Sequence, residues 1–398
     1  MKTVGIICEY NPFHLGHKNH IEQTKQLISG NSVDDVLVVG VISGNFVQRG
    51  DFAIFNKYAR AKMAISCGVD LVIEMPTPYV LQSAEGFSES GVYLLDALGI
   101  CDYLSFGSET GDLETIKEAA SSIVSINSNK ITKEWLNEGY SYASAQQKAA
   151  ESVIGKKAEI FKSPNNVLGI EYIKALKKLK SPIKPITIKR TGGNHDSETG
   201  YSATALRKFL MSGNIPTQLM PEAAANIIKE EITLGRGPVS LKNAEQAILS
   251  RLRMLADYSN TSGVSEGLEK RFKRYATAET SVEAILNNTK TKRYPMSRLR
   301  RLLLCAALEI SKETILNPPP YIKILAMNSK GKKLLAKARK KSKLPILTKP
   351  AAVYKMDEAA IKLFKLESSI SDFYVLAYPN EEKRNGGNEW RQTPIINP

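Results

Sequence analysis

The stretch Gly5-Ile6-Ile7-Cys8-Glu9-Tyr10-Asn11-Pro12-Phe13-His14-Leu15-Gly16-His17-Lys18-Asn19-His20 organises the rest of the chain. The apolar run from Val4 to Cys8 predicts a short buried strand. Asn11-Pro12 breaks it, because the residue before a proline is pushed out of the helical region. Gly16 lets the backbone approach a ligand closely, and from His17 to Ser29 the pattern is helical. A strand, a tight turn and a helix start form a phosphate site, since unpaired backbone N–H groups and the helix dipole point into the turn. His14 and His17 sit in that turn, where imidazoles can donate to phosphate oxygens and stabilise charge on a leaving pyrophosphate. The chain has 4 histidines. The spacing of His14, His17 and His20 also admits a metal site, but it fans around a helix, and residues 14–20 hold no carboxylate or cysteine, so no metal ligands are assigned. A purely structural role for the histidines is the third reading.

Working outward, 398 residues suffice for two or three domains and a sizeable core. The net charge of +15 favours polyanionic partners such as nucleic acid or an anionic surface. No apolar run approaches the ~18 residues that span a bilayer, and no secretory signal pattern precedes the first strand. Cys8, Cys67, Cys101 and Cys305 are scattered in apolar contexts without a Cys-x-x-Cys pair. These features predict a reduced, cytoplasmic protein that does not contact membranes.

Further strands are predicted at Asp35 to Ile42, Asp70 to Glu74, Asp102 to Phe106 (closed by Gly107) and Lys184 to Lys189, and helices at Lys57 to Ser66, Ser83 to Leu98 and Val167 to Lys178. Continuous apolar strands alternating with helices predict an α/β fold, a parallel sheet covered on both faces. A glycine-bracketed loop runs from Ser43 to Asp51. From about Gly235 strand-like runs give way to helical patterns. The expected division is an ATP-binding catalytic domain over 1–234 and a mainly α-helical, basic, tRNA-binding domain over 235–398.

A second motif, Ser202-Ala203-Thr204-Ala205-Leu206-Arg207, places hydroxyls at a helix start, Ser202 as a plausible N-cap, with Arg207 one turn in, suited to a triphosphate. Alone it reads equally as a capped surface helix. The order of the two motifs around a parallel α/β core resembles the HIGH-type nucleotidylyltransferase superfamily, with its Rossmann-like sheet. With the flanking residues, the first stretch, Ser43-Gly44-Asn45-Phe46-Val47-Gln48-Arg49-Gly50, Ser163-Pro164-Asn165-Asn166, and Thr291-Lys292-Arg293-Tyr294 followed by Arg298-Leu299-Arg300-Arg301 resemble the tRNA(Met) cytidine acetate ligase family across nearly the whole chain.

The resemblance implies two steps: ATP and acetate give acetyl-adenylate and pyrophosphate, then the acetyl group passes to N4 of the wobble cytidine of elongator tRNA(Met). It implies that residues 7 to 20, Gly107, Asn165, Arg190, Thr191, Ser202, Thr204 and Arg207 bind ATP, with His14 and His17 catalytic. The motif does not separate Asn165 from Asn166. Asn194 stands where the family would carry an aromatic residue. Mg²⁺ is expected with the ATP. On chemical grounds Arg49 is a candidate for acetate or phosphate, since its planar fork suits either; a surface arginine or a salt bridge to Asp51 is the equal competing reading. Lys57 and Arg60 face either phosphate, tRNA or solvent.

Two basic stretches contain no acid. One comprises Lys290, Lys292, Arg293, Arg298, Arg300 and Arg301, with Tyr294 available to stack on a base. The other runs from Lys330 to Lys343. Both suit RNA phosphates. Two other functions remain open: AMP transfer to a small phosphorylated metabolite, and a non-catalytic RNA-binding module with a decayed nucleotide site. The basic C-terminal half counts against the first, and the intact His14, Gly16, His17, Thr204 and Arg207 count against the second.

Overall fold

The structure, a computed structural model, describes residues 1–30, 32–127, 130–190, 203–265 and 267–397. In chain order the strands are β1 (Lys2–Cys8), β2 (Val36–Ser43), β3 (Phe46–Val47), β4 (Asp51–Phe52), β5 (Leu71–Met75), β6 (Tyr103–Ser108), β7 (Lys184–Lys189), β8 (Ile322–Met327), β9 (Ile346–Leu347) and β10 (Ile395–Ile396). The helices of the first half are α1 (Leu15–Ile28), α2 (Lys57–Ser66), α3 (Thr77–Val80), α4 (Ala84–Leu98), α5 (Leu113–Asn127), α6 (Lys130–Asn137), α7 (Tyr142–Ile154), α8 (Pro164–Lys178), α9 (Ala203–Met211) and α10 (Glu222–Thr233). The second half adds α11 (Glu245–Met254), α12 (Leu268–Ala278), α13 (Val282–Thr289), α14 (Met296–Ala307), α15 (Ser329–Lys341), α16 (Glu358–Val375) and α17 (Asn388–Arg391).

The main sheet has the order β10-β8-β5-β2-β1-β6-β7, with β9 paired to β8. β1, β2, β5, β6 and β7 are mutually parallel, with Val4 opposite Val38 and Gly40 opposite Val72. Alternate residues of the buried strands feed opposite layers. Leu37, Val39, Val41, Leu71 and Ile73 pack with α4, α8 and α16, while Val4, Ile6, Val38 and Val72 pack with α1, α2 and α10. A third cluster joins α11 to α14 with Phe46, Phe52 and the end of α16, so a helical bundle sits over the β3–β4 hairpin at the carboxyl edge of the sheet.

The α/β core follows the expected pattern. The C-terminal half departs from it, because residues 322–327 are a fully buried strand antiparallel to β5, and β10 pairs parallel to β8. The sheet therefore does not end at residue 234. The bundle accounts for the middle of the second half, and the last 80 or so residues return to the core. Pro164 opens α8, so Asn165 and Asn166 lie in its first turn instead of before it. Ser202, Thr191 and Asn194 lie outside the described residues.

Candidate active site

β2 and β6 lie on opposite sides of β1, so the strand order reverses there. In an open α/β sheet, ligands bind in the crevice beyond the carboxyl ends of the strands at such a switch point. The histidine turn leaves β1 at that place. His14 is buried and is the N-cap of α1; its Nδ1 accepts from the Gly16 N–H at 3.0 Å. His17, in the first turn, returns the favour: its Nδ1 accepts from the His14 N–H at 3.2 Å. The two rings stack with centroids 3.7 Å apart. This is a capping box built from imidazoles. With each Nδ1 accepting, the neutral rings carry their protons on Nε2, making donors next to a helix N-terminus. A Cβ at Gly16 would come within 2.9 Å of the His14 ring, so glycine is needed for this packing. Tyr10 and Phe13 wedge against His17 at 4.9 and 5.5 Å.

The second motif meets the first. Arg207 Nη1 donates to the Asn11 carbonyl at 2.9 Å and Nη2 to Thr204 Oγ1 at 3.1 Å. The Asn11 side chain accepts from the Ile54 N–H at 2.7 Å, tying the turn to the segment before α2. Glu9 accepts from the Gln48 N–H at 2.7 Å. Burial pushes its carboxyl up, against the opposing pull of that N–H and of Arg60, Arg207 and Arg49. Arg49 is exposed on the loop, which matches the surface-arginine alternative, and the ion pair found for Asp51 among the described residues is with Arg300 at 3.4 Å, not with Arg49.

On the other flank of β1, Gly107 lies against Arg190, whose Cγ would be 3.2 Å from an added Cβ. Glu109, unremarked in the sequence, caps α8: its carboxylate accepts from the Asn166 N–H at 2.9 Å and from Asn165 Nδ2 at 2.7 Å. Asn166 is buried, and its Oδ1 accepts from the N–H groups of Glu109 and Thr110. Asn166 thus braces the loop after β6, and Asn165 is the more accessible of the two. His20 is bonded to Ser105 Oγ at 3.0 Å; burial, reinforced by Arg190, lowers its pKa to about 4.

Lys57 and Arg60 are corrections. Neither faces phosphate, tRNA or solvent; they are 1% and 0% exposed. Arg60 donates to the carbonyls of Phe55 at 3.0 Å, Glu9 at 2.5 Å, Ser43 at 2.9 Å and Gly44, and to Ser43 Oγ at 3.2 Å. It clamps the histidine turn to the Ser43–Asp51 loop. Lys57 sits in a buried charge cluster, 2.6 Å from Glu74 and 2.9 Å from Glu389. Lys323 from β8 joins Glu74 at 3.4 Å and also Glu389. Glu367 accepts from the Thr77 N–H at 2.6 Å, and burial beside Glu74 raises its pKa. A helical-wheel reading gives no warning of this, because the compensating acids come from remote positions.

The basic stretch divides. Lys290 and Lys292 are exposed and Arg293 is half-buried. Lys292 Nζ lies 3.3 Å from the centroid of the Tyr140 ring. Arg298 covers the Tyr294 ring at 5.3 Å, and Tyr294 is only 7% exposed, so it is not available to stack on a base. Burial lowers the Arg301 pKa to about 10, with Cys305 opposing and Arg298 reinforcing. Gly50, at φ 76°, packs directly on the α14 backbone at Arg300 and Arg301. The basic segment therefore adjoins the loop that carries Arg49. Among the described residues, no group of three or more His, Cys, Asp or Glu converges as a metal site, and no helix is long and apolar enough to cross a membrane.

A Rossmann-like sheet, a helix-capping histidine pair at its switch point and an arginine returning to that turn define a nucleotidyl-transfer protein, and the chain belongs to the HIGH nucleotidyl transferase family, whose profile matches residues 1–389. More narrowly, its full-length relatives are tRNA(Met) cytidine acetate ligases. That of Acetivibrio thermocellus is 38% identical, with all of both chains covered. That of Thermosipho africanus is 37% identical, again covering both chains completely. Among solved structures, apo Thermotoga maritima TmcAL superposes with a TM-score of 0.92 at 34% identity, covering 100% of this chain and 99% of the other. The same protein bound with alpha-thio ATP gives 0.90 at 35% identity, with the same coverage.

Proposed function

We propose that the protein is an ATP-dependent ligase that activates acetate as acetyl-adenylate and transfers the acetyl group to N4 of the wobble cytidine of elongator tRNA(Met). The observation that carries this reading is the imidazole pair at the switch point, bridged to Arg207 and clamped to the loop that bears Arg49. ATP lies over residues 7 to 20, with Gly107, Asn165, Arg190, Thr191, Ser202, Thr204 and Arg207 around it. An acetate oxygen, held by Arg49, attacks the α-phosphorus and pyrophosphate leaves. The Nε2–H groups of His14 and His17, with the α1 N-terminus, neutralise charge developing on the phosphates. Fixed alignment of acetate and phosphorus supplies much of the rate. The cytidine amine then attacks the acetyl carbonyl, AMP departs, and the amine loses a proton.

Mg²⁺ accompanies the ATP phosphates; the described residues do not form a carboxylate cage for it, and no step is assigned to it. Lys290, Lys292 and Arg293, with Arg298, Arg300 and Arg301 behind them, form the tRNA surface nearest the site. Incubation with ATP, radiolabelled acetate and bulk tRNA tests the reading. Label should enter RNA only when ATP is present. AMP transfer to a phosphorylated metabolite without labelled RNA, or no ATP turnover at all, would overturn it.

A further inference from the structure

The second basic run, which the site does not use, folds as α15. Its buried residues Gly331, Leu334, Leu335 and Ala338 share one side and pack into the core. Lys332, Lys333, Lys337, Arg339, Lys340 and Lys341 are all exposed. Among the described residues none of these six makes an ion pair, whereas Lys330 and Lys343 at the two ends pair with Asp34 at 3.0 Å and Asp96 at 2.7 Å. Like charges at helical spacing repel, so the sequence gives up some helix stability to keep this face cationic.

The fold fixes where that face lies. β8 runs antiparallel to β5 and ends opposite Leu71, at the amino edge of the parallel strands. Asn328 then caps α15 and donates to Asp70 Oδ1 at 2.9 Å. A Cβ at Gly331 would collide with the Asp70 carbonyl. At the other end, the Lys343 N–H donates to the Ala97 carbonyl at 2.8 Å, and the Lys341 carbonyl packs on Gly99. Asp70, Ala97 and Gly99 all precede strands, so α15 is pinned along the amino edge. Beside it a cleft of about 480 Å³ is lined by Lys2, Lys184, Lys337 and Lys341, with Asp102 and Tyr103 among its other lining residues. The histidine turn lies at the opposite edge, beyond a strand of 7 residues, or about 20 Å.

We infer that the α15 face and the lysine-lined cleft beside it bind the phosphodiester backbone of the substrate tRNA outside its anticodon arm. This rests on the tRNA reading above. A group held at α15 is too far from the turn to be the reacting nucleotide. On α15 itself, a dense row of unpaired cations with no aromatic residue in the helix grips backbone and not sequence. The contact adds affinity for the whole tRNA and contributes nothing to chemistry on acetate.

The test compares full-length tRNA with an isolated anticodon stem-loop, using wild type and the triple variant Lys332→Glu, Lys333→Glu, Lys340→Glu. Acetate-dependent ATP–pyrophosphate exchange without RNA, measured first, should be unchanged, which confirms folding. The variant should bind full-length tRNA roughly tenfold or more weakly, with a salt slope shallower by about 0.9 for each phosphate it no longer neutralises, while stem-loop affinity stays the same. Equal losses for both RNAs, or no loss for either, would overturn the inference. So would reduced binding to anionic phosphatidylserine vesicles with tRNA affinity intact. The variant Lys292→Glu, Arg293→Glu should weaken both RNAs; wild type that binds neither RNA would remove the tRNA reading itself.

Discussion

Replacing Arg60 with methionine tests whether the clamp between the histidine turn and the Ser43–Asp51 loop is the structural basis of the site. The side chain is fully buried and donates to four backbone carbonyls and one hydroxyl. A buried acceptor left unpaired costs about 1–3 kcal/mol, so the orphaned carbonyls alone amount to roughly 4–12 kcal/mol. Removing the buried cation recovers part of that, because its own desolvation penalty disappears. A net loss of about 3–5 kcal/mol is expected, in line with breaking a buried charged network. Against a total stability of about 5–15 kcal/mol that is severe. Urea denaturation should show a lower midpoint. In the folded fraction, the KM for acetate should rise, since Glu9 and the Ser43–Gly44 carbonyls are no longer held in one frame. Arg60→Lys should fall between, because a single ammonium cannot span contacts that a planar fork reaches. An Arg60→Met protein with an unchanged midpoint and an unchanged KM for acetate would refute the reasoning.

Gly50→Ala should cost at least about 1 kcal/mol, because φ is 76° and the new Cβ would lie 2.5 Å from the Arg301 nitrogen; thermal unfolding would measure it, and an unaltered Tm would mean the loop is free to leave α14. Glu109→Ala should cost about 1–2 kcal/mol as a lost helix cap and raise the KM for ATP by freeing Asn165, whereas a KM that does not move would remove Asn165 from the nucleotide pocket. His20 is held neutral, with its pKa lowered from 6.5 to about 4 by burial and Arg190. The unfolded chain therefore takes up a proton that the folded one refuses, and stability falls as pH drops from about 6.5 towards 4, by up to about 3 kcal/mol. His20→Gln should flatten that decline in urea titrations at stepped pH; an identical decline would place its origin elsewhere.

The parallel core was legible because each of its strands is a local signal. Val4 to Cys8 and Asp35 to Ile42 are continuous apolar runs, and a strand covered on both faces needs nothing else. β8 was not, although Tyr321-Ile322-Lys323-Ile324-Leu325-Ala326-Met327 is almost as apolar. Its Lys323, the second residue of the strand, looks like a solvated position and is buried only because Glu74 and Glu389 meet it from remote parts of the chain. The same non-local compensation hid Lys57. Arg60 was hidden for a different reason: its partners are carbonyls, which every residue has, so no residue type marks them. The pairing of Arg207 with the histidine turn could be read, since motif order implied it and the 2.9 Å bond to Asn11 realises it. Asn165 and Asn166 are adjacent and chemically identical in sequence; only the surroundings of α8 make one a buried brace.

The central claim is that the carboxyl edge of this sheet turns acetate and ATP into an acetyl donor for RNA. Its most direct measurement uses purified, unmodified elongator tRNA(Met), ATP and acetate with wild-type protein and His17→Ala, followed by nuclease digestion and mass spectrometry of the anticodon fragment. The account predicts N4-acetylcytidine at the wobble position with wild type, dependent on both ATP and acetate, and none with His17→Ala even though the variant still binds the tRNA. Unmodified cytidine with wild type, or acetylation that proceeds without ATP, would contradict it.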